Sequence, residues 1–485
     1  MHRLDYRRFK INKVILSDIT MILAVILIVG VLILVTMGYS LGRDGRIEQT
    51  GLVQFESHPS GATVLIDGEA QFAKTTTKAV LSPGEHQFEV RRDGYDSWQK
   101  KANISSGRVL WLNYTRLLPN KRADKFVKYY EGLYKMSVSP QSRYALMLDS
   151  PPSLTLHYLD MRGDDVESQS LQISKFFAEL DVEGVQHSFD VISWNNDENR
   201  VLVKHDFGGN SEWVWLNLKD ISSSLNLTNE YRLGITDVKF AANDGKKLVL
   251  LEGGNLRRAD VGNKTISAVL ADKVLKVYMA SEKDVLLITD DQKNKTRSFG
   301  FYKNGDQGLS EIYALEAKDG DLLNVVGGKY YGDEYVAISE NNKLQVLKGD
   351  FPTFGRVTDS LRYLVDVKLD WPIERLELSA NKRFVHAINK GKVYSYDLEN
   401  LVGQYFTLDG KYDSSEPLNW LDDYMLWTDK GGQLVIYDFD GDNKRQVQKV
   451  EPGFKVLLSD NSKWLYSVSK TASGRDLRRF KMIAD

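Results

Sequence analysis

The sequence contains no cysteine among its 485 residues. Disulfide bonds, thiolate metal sites and cysteine-based catalysis are therefore excluded. Secreted eukaryotic ectodomains more often carry disulfides, so the absence favours a bacterial or archaeal cell envelope. Strong charge of one sign is also missing, because 64 basic and 66 acidic residues leave a net charge of -2. Nucleic-acid-binding proteins normally show a basic stripe, so we expect no nucleic-acid partner.

The motifs of common enzymes are absent as well. None of the seven histidines lies in an HExxH or HxH pattern, and the sequence has no G-x-S-x-G elbow and no phosphate-binding Walker loop. His157 and His386 fall in predicted strands, where we interpret them as core residues, and His86 has no second ligand nearby. We therefore predict no catalytic, cofactor-binding or metal-binding residues, no cofactor, and a protein that is not an enzyme.

Two loops resemble known sites only in part. Residues 438–442 place carboxylates at alternate positions, as calcium loops do, but Asn443 and Lys449 stand where an EF-hand needs glycine and glutamate. Residues 459–464 share some positions with a sialidase Asp-box and lack its glycine. We interpret the first loop as a hairpin and the second as a turn between strands.

Residues 19–37 form one long apolar run without a charge. As a helix it would measure about 28 Å, enough to span a hydrocarbon core of about 30 Å. Five basic residues precede it, which predicts a cytoplasmic N-terminus by the positive-inside rule. We predict a cytoplasmic tail at 1–18 and a transmembrane helix at 19–41. A cleaved signal peptide is the main alternative, although the run is longer than a usual signal core.

Residues 51–119 carry a dense series of turn signals between short apolar strands. Asp67-Gly68 predicts a tight hairpin, because glycine adopts a positive φ without steric cost. The segment 87–90 alternates polar and apolar residues, as a half-buried strand does. These residues therefore predict a small separate β-domain.

The order of turns and strands in this domain resembles the PEGA domain family. The family's Pro-Glu-Gly-Ala run corresponds to Pro59-Ser60-Gly61-Ala62, which departs at the second position. The other matching residues are Val64, Ile66-Asp67-Gly68, Leu81, Pro83-Gly84-Glu85-His86, Gly94-Tyr95 and Trp98. The resemblance implies a small β-sandwich of envelope proteins without catalytic activity, in which Tyr95 and Trp98 belong to the core.

From 121 to 485 a unit of strand, polar turn and strand recurs, usually followed by a third strand. The residue just after each turn marks eight units spaced 37–57 residues apart: Tyr144, Val201, Leu248, Val285, Tyr335, Phe384, Tyr424 and Trp464. A period near about 45 residues is typical of propeller blades. The unit resembles TolB-like propeller repeats. We predict an eight-bladed β-propeller, with seven blades as the main alternative and stacked sandwiches as a third.

The last unit is one strand short of four. Residues 125–130 (KFVKYY) could supply that strand and close the ring, which would remove an open sheet edge. Alternation predicts that Phe126, Lys128 and Tyr130 share one face.

The sequence thus predicts a mainly β, single-pass membrane protein with the bulk of the chain extracytoplasmic. Its expected function is binding or scaffolding in the cell envelope, with a protein or a cell-wall or surface glycan recognised through propeller loops. The alternative is a propeller-type hydrolase or lyase acting on envelope carbohydrate. A converging carboxylate pair in the central channel would favour the enzyme, and an apolar or aromatic face would favour protein binding.

Overall fold

The structure is a computed structural model that describes residues 2–41, 47–151, 153–180, 184–355, 361–408 and 418–483. The chain divides into two compact units. The second unit is Arg122–Met482, and the first consists mainly of the residues before it.

The first unit begins with a helix, His2–Thr36, whose segment Ser17–Thr36 is long and apolar enough to cross a membrane. The helix ends because Gly38 adopts a φ of +81°, which starts a new chain direction. Tyr39–Leu41 then form a strand that pairs with Ile47–Gln49. The helix therefore ends at Thr36, before the end of the predicted range 19–41. The last three residues of that predicted range, Tyr39–Leu41, form a strand instead.

The small domain of this unit is a sandwich of two sheets. One sheet contains Thr77–Leu81, Gly51–His58 and Val109–Arg116, and the other Glu69–Lys74, Thr63–Ile66, Gly84–Arg91 and Trp98–Ile104. Asp67 and Gly68 both adopt a positive φ in the predicted tight turn. Rings from the two sheets meet inside, with Phe55 and Phe88 centred 5.5 Å apart. Trp98 is fully buried and Tyr95 nearly so, as predicted.

The described part of the second unit contains eight four-stranded antiparallel sheets, here numbered 1 to 8. In sheets 1–7 the four strands are consecutive in the chain. In sheet 8 the fourth strand precedes sheet 1. The strands of sheets 1–4, from first to fourth, are Leu133–Val138, Tyr144–Asp149, Thr155–Asp160 and Glu167–Gln172; His187–Trp194, Arg200–Phe207, Asn210–Asn217 and Leu225–Asn226; Ile235–Phe240, Lys247–Glu252, Asn255–Asp260 and Thr265–Ile266; and Val274–Met279, Val285–Asp291, Thr296–Tyr302 and Ser310–Glu316.

Sheets 5–8 repeat the same order. Their strands are Leu323–Tyr330, Asp333–Glu340, Lys343–Gly349 and Arg362–Lys368; Arg375–Leu378, Phe384–Asn389, Lys392–Asp397 and Val402–Thr407; Asn419–Trp420, Met425–Thr428, Gln433–Asp438 and Arg445–Lys449; and Leu457–Leu458, Trp464–Lys470, Arg475–Lys481 and Lys125–Tyr130. Helical residues in the described part of this unit are few: Ser174–Phe176, Ile221–Ser223, Leu227–Tyr231 and Lys430–Gly432.

Each sheet packs against the next, so the sheets form a β-propeller. Apolar clusters join sheets 1 to 7 in consecutive pairs and join sheet 8 to sheet 1. Sheets 7 and 8 are connected by hydrogen bonds from Gln448 Nε2 to Ser467 Oγ (2.6 Å) and from the Glu451 N–H to the Val468 carbonyl (2.8 Å). No sheet of this kind could bury both faces alone, and stacking around a ring buries them all.

Several turns between first and second strands share one construction. In sheets 1, 6 and 8 a serine hydroxyl accepts the N–H of the residue five positions later, and the fourth residue of the turn has a positive φ. The serines are Ser139, Ser379 and Ser459, and the positive-φ residues are Ser142, Lys382 and Ser462. This geometry explains why the turn can be recognised in the sequence although its residues vary.

The ring closes through the strand predicted to close it. Lys125–Tyr130 pairs antiparallel with Arg475–Lys481 along the open edge of sheet 8. The predicted face is wrong, however, because a bulge at Val127 shifts the alternation. Phe126 is 57% exposed, whereas Val127 and Tyr130 pack on the core between sheets 8 and 1.

Candidate functional site

The first strands of the sheets converge on the centre of the ring. Those of sheets 2 and 3, of sheets 4 and 5, and of sheets 5 and 6 contact each other directly. The fourth strands lie at the other edge of each sheet, where most side chains are exposed or half-buried. Polar residues on or beside the first strands are therefore the candidates for a site at the centre.

Polar side chains on these inner segments reach from one sheet to its neighbour. They form a partial belt of cross-sheet contacts: Lys135 with Asp190, Lys276 Nζ to the Leu323 carbonyl (2.9 Å), Asn324 Nδ2 to the Ile373 carbonyl (3.3 Å), Arg375 to the Leu418 carbonyl (2.7 Å) and Lys455 Nζ to Asn419 Oδ1 (2.9 Å). These contacts pair polar groups that are mostly half-buried, and they connect each sheet involved to its neighbour.

Five of the inner residues form what we call the central cluster: Tyr278, Arg375, Glu377, Asn419 and Lys455. The Arg375 Nε and Glu377 Oε1 atoms are 2.9 Å apart. Burial raises the pKa of Glu377 and outweighs the opposing charges of Arg375 and Lys455, although 30% of the Glu377 side chain is accessible. Burial also lowers the pKa of Lys455.

The central cluster thus contains an acid and a base whose pKa values move toward neutrality. Burial, together with the charge of Glu377, raises the pKa of Tyr278 to about 12, which keeps its hydroxyl protonated. Such groups could donate or accept a proton or bind a charged group of a ligand. Glu377 is the one carboxyl group in the central cluster as defined here, and its pKa is raised.

A second feature, here called the lateral groove, lies on the outer side of sheets 5 and 6. Its volume is about 490 Å³, and its lining residues are Lys368, Asp370, Trp371, Lys392, Val393, Tyr405, Phe406 and Thr407. The Tyr405 side chain is 58% exposed, whereas Trp371 is 7% exposed. The groove therefore combines an exposed aromatic ring with charged and hydroxyl groups.

The position of Tyr405 follows from its partners on sheet 6. Tyr405 lies opposite Tyr394 on the adjacent strand, and the two ring centres are 4.7 Å apart. The Tyr394 ring also crosses over Gly403, where a Cβ would overlap it. Gly403 thus allows Tyr394 to support Tyr405 from below. An aromatic ring fixed in this way offers a rigid surface at low entropic cost.

His86 and His157 lie in different domains and have separate partners. His86 contacts Asp67 Oδ2 (2.7 Å) and the Ser82 carbonyl (2.9 Å) in the small domain. His157 contacts Asp149 and Ser170 within sheet 1. In the part of the chain that the structure describes, no group of three His, Asp or Glu residues could hold a metal ion.

Sequence reasoning missed one buried network in sheet 2. His205 Nδ1 lies 2.8 Å from Glu212 Oε1, and His205 Nε2 lies 2.8 Å from His187 Nδ1. Glu212 also accepts hydrogen bonds from the Ala178 N–H and Asn226 Nδ2. These residues lie on different strands, and their contact depends on register, which the sequence does not display. Each polar atom named here has a hydrogen-bond partner within the protein. We therefore interpret the network as a structural element that stabilises sheet 2.

The two loops that resemble a calcium loop and an Asp-box in part take the predicted structural roles. Residues 439–444 connect the third and fourth strands of sheet 7, with Gly441 at a φ of +84°. The Asp438 N–H donates to the Asp442 carbonyl across this hairpin (2.9 Å). Residues 459–463 form the turn between the first two strands of sheet 8, as described above.

His386 is fully buried in sheet 6, and this burial, together with the charge of Arg375, lowers its pKa to about 3. Its ring centre lies 4.5 Å from that of Trp420. A histidine in the unfolded chain has a pKa of about 6.5. Between about pH 6.5 and pH 3 this histidine is therefore protonated in the unfolded state and neutral in the folded state. His386 therefore reduces stability as the pH falls through this window.

We expect the free energy of unfolding to lose about 1.4 kcal/mol per pH unit below about pH 6 through this residue alone. Urea unfolding at pH 7.5 and pH 5 would measure the loss. The His386→Leu variant should show a smaller loss than the unmodified chain, whatever its absolute stability. Equal losses in the two proteins would assign the pH dependence to other groups.

These observations define a chain with an apolar helix that fits a membrane anchor, a small β-sandwich and a β-propeller. Comparison with known families identifies the sandwich, since residues 50–118 match the PEGA domain. The chain therefore carries a PEGA domain that precedes its propeller in the sequence. The comparison with curated proteins gives no match.

Solved structures similar to this chain include several propellers. One is an oligogalacturonate lyase in complex with manganese (11% identity, TM-score 0.41, covering 73% of this chain and 99% of that one). A second is the Cps50 (Swd1) β-propeller domain of Myceliophteria thermophila (10% identity, TM-score 0.41, covering 74% of this chain and 100% of that one). A third is apo AztD from Citrobacter koseri (10% identity, TM-score 0.41, covering 81% of this chain and 96% of that one). At these values the similarities carry no inference about ligands or activity.

Proposed function

We propose that the protein is a membrane-anchored binding protein of the cell envelope. In this proposal the N-terminus is cytoplasmic, and the PEGA domain and an eight-bladed propeller lie outside. The positive-inside distribution of the N-terminal residues supports the orientation. The blade number is supported by the eight described sheets and by the packing of each sheet on the next. The propeller acts as a rigid carrier for its recognition surfaces.

The ligand we favour is an envelope carbohydrate bound in the lateral groove. The observation that carries this proposal is the exposed ring of Tyr405 beside Asp370 and Lys392. A sugar ring has an apolar face that can lie on an aromatic side chain and hydroxyl groups that exchange hydrogen bonds with charged residues. A groove for an apolar peptide segment would need fewer charges in its lining.

Fluorescent oligosaccharides of the envelope, added to intact cells that display the full chain, would test ligand and orientation together. We expect saturable binding that disappears when external protease removes the propeller. Tyr405→Ala should weaken binding about tenfold or more, since buried aromatic contacts contribute more than 1 kcal/mol. Tyr405→Phe should retain most of it.

The matched control for this experiment is Tyr363→Ala. Tyr363 is 59% exposed on the fourth strand of sheet 5 and does not line the groove. Its loss should leave binding unchanged. Equal binding by the Tyr405→Ala and unmodified chains would rule out the groove, and capture of an envelope protein that depends on Tyr405 would replace the sugar by a protein ligand.

The rival proposal is a hydrolase or lyase that acts on envelope carbohydrate, and the raised pKa of Glu377 is the observation in its favour. Most glycoside hydrolases use two carboxyl groups, and the central cluster as defined here contains one, Glu377. Incubation of the same saccharides separates the two proposals. Turnover that is lost in Glu377→Gln and kept in Tyr405→Ala would support the enzyme, whereas binding without turnover supports the binding protein.

A further inference from the structure

The PEGA domain begins directly at the end of the apolar helix. The Gly38 carbonyl accepts hydrogen bonds from the Thr50 N–H (2.7 Å) and from the Thr50 hydroxyl (2.6 Å). Gln49 Nε2 donates to the Met37 carbonyl (3.1 Å). Between these points Tyr39–Leu41 pairs antiparallel with Ile47–Gln49. The first domain strand, which starts at Gly51, therefore begins at the level where the apolar helix ends.

An apolar row crosses the three-stranded sheet of this domain at that level. Leu52 lies opposite Val80 on one side and Val109 on the other. Val53, the next residue, is fully buried in the sandwich, so Leu52 belongs to the outer face. Val80 is 61% exposed and Val109 is 40% exposed. Ile47 of the neighbouring hairpin is also 65% exposed.

The next row on the same face has the composition of a membrane interface. Gln54 lies between Lys78 and Trp111, and Trp111 is half-buried while Lys78 is exposed. Arg108 is exposed beside Val109. Tryptophan, lysine and arginine collect at the headgroup level of membranes, because each combines an apolar part with a polar end.

We propose that this outer face is a second membrane contact, in which Leu52, Val80 and Val109 enter the boundary between headgroups and acyl chains. Lys78, Arg108 and Trp111 then lie among the headgroups. The occupant is the bilayer that the helix spans, because the row is continuous with the end of that helix. The inference depends on the membrane anchor and is independent of the ligand of the propeller.

Apolar insertion, and not attraction to anionic lipid, is the contact we infer. Glu48 lies at the same end of the domain and accepts a hydrogen bond from the Ser82 hydroxyl, so the basic residues there are partly offset. Each exposed apolar side chain that leaves water contributes in proportion to its buried area. Contact should therefore form on zwitterionic phosphatidylcholine.

The absence of cysteine makes a site-specific test simple. A single cysteine introduced by Val80→Cys carries an environment-sensitive fluorophore, and the full chain is reconstituted in phosphatidylcholine vesicles with spin-labelled lipid as quencher. We expect a blue-shifted emission and the loss of most of its intensity to the quencher. Phe72→Cys is the control, since Phe72 is fully exposed on the other sheet of the same domain and should stay in water.

A third variant, Leu27→Cys in the apolar helix, reports on the anchor itself. Quenching at position 27 without quenching at position 80 would overturn the proposed contact and leave the anchor intact. Loss of quenching at both positions would instead refute the anchor, on which the contact depends. Quenching at position 72 in place of position 80 would place the membrane contact on the other sheet of the domain and would overturn the proposal. The emission at position 80 could also shift to the blue without quenching by the labelled lipid, and only when the vesicles contain protein at high density. That result would indicate contact with a second copy of the chain and would also overturn the proposal.

Discussion

A chain that starts at Glu131 should unfold at a temperature about 10 °C or more below that of a chain that starts at Lys121. The difference is the strand Lys125–Tyr130, which completes sheet 8 and pairs with Arg475–Lys481. Its removal exposes a row of unpaired backbone groups and deletes Tyr130, which is 4% exposed in the core between sheets 8 and 1. Loss of one buried aromatic side chain alone costs about 3–5 kcal/mol. Thermal unfolding followed by circular dichroism measures the difference.

Deletion of the PEGA domain, residues 51–119, is the control for this experiment. That domain has its own sandwich core, and the propeller unit begins at Arg122. We expect the propeller transition to remain where it is. Equal unfolding temperatures for the chains starting at 121 and 131 would contradict closure through residues 125–130 and would favour a ring of seven blades.

Arg383→Met should destabilise the propeller by about 3–5 kcal/mol, because it leaves a buried carboxylate without its cation. Arg383 and Asp397 are 3% and 7% exposed, and two hydrogen bonds join them: Nε to Oδ1 (2.9 Å) and NH2 to Oδ2 (2.8 Å). The pair connects the turn between the first and second strands of sheet 6 to the end of its third strand. Urea unfolding of the variant measures the free energy directly.

The double variant Arg383→Met with Asp397→Leu shows whether the unpaired charge causes the loss. Replacement of both partners by apolar residues should cost less than the single substitution. Asp397 also accepts the Glu399 N–H (2.9 Å), so some cost should remain. A double variant that is less stable than the single variant would mean that packing, and not the buried charge, determines the effect.

Most of the propeller could be predicted because each blade repeats a local pattern. The residues placed just after the eight turns, from Tyr144 to Trp464, all lie within two residues of the start of a second strand. The turn works locally, through a serine hydroxyl and a residue with positive φ, so it leaves a signal in the sequence. The closing strand could be predicted for a similar reason, since the last unit lacked one strand.

Features that depend on exact geometry could not be predicted. The bulge at Val127 changes which side chains of the closing strand face the core, and no residue type marks it. The apolar run continues beyond Thr36, but the backbone of Gly38 ends the helix. Hydropathy reports which residues avoid water, and it contains no information on local chain reversal.

The candidate sites were also beyond sequence reasoning. Glu377 lies in the first strand of sheet 6 and Lys455 lies just before the first strand of sheet 8, and their proximity results from the convergence of first strands on one centre. Trp371 and Tyr405 meet in the lateral groove because sheets 5 and 6 are neighbours. A single sequence gives the elements of such sites but not their distances.

The most direct test of the closed ring, on which both candidate sites depend, is amide hydrogen exchange at residues 125–130 in the full chain. We predict protection similar to that of Trp464–Lys470, one of the two central strands of the same sheet, because the amides of residues 125–130 that face Arg475–Lys481 are hydrogen-bonded. Truncation of the chain after residue 474 should abolish this protection. Exchange at residues 125–130 as fast as in the exposed turn 208–209 of the full chain would contradict the closed propeller.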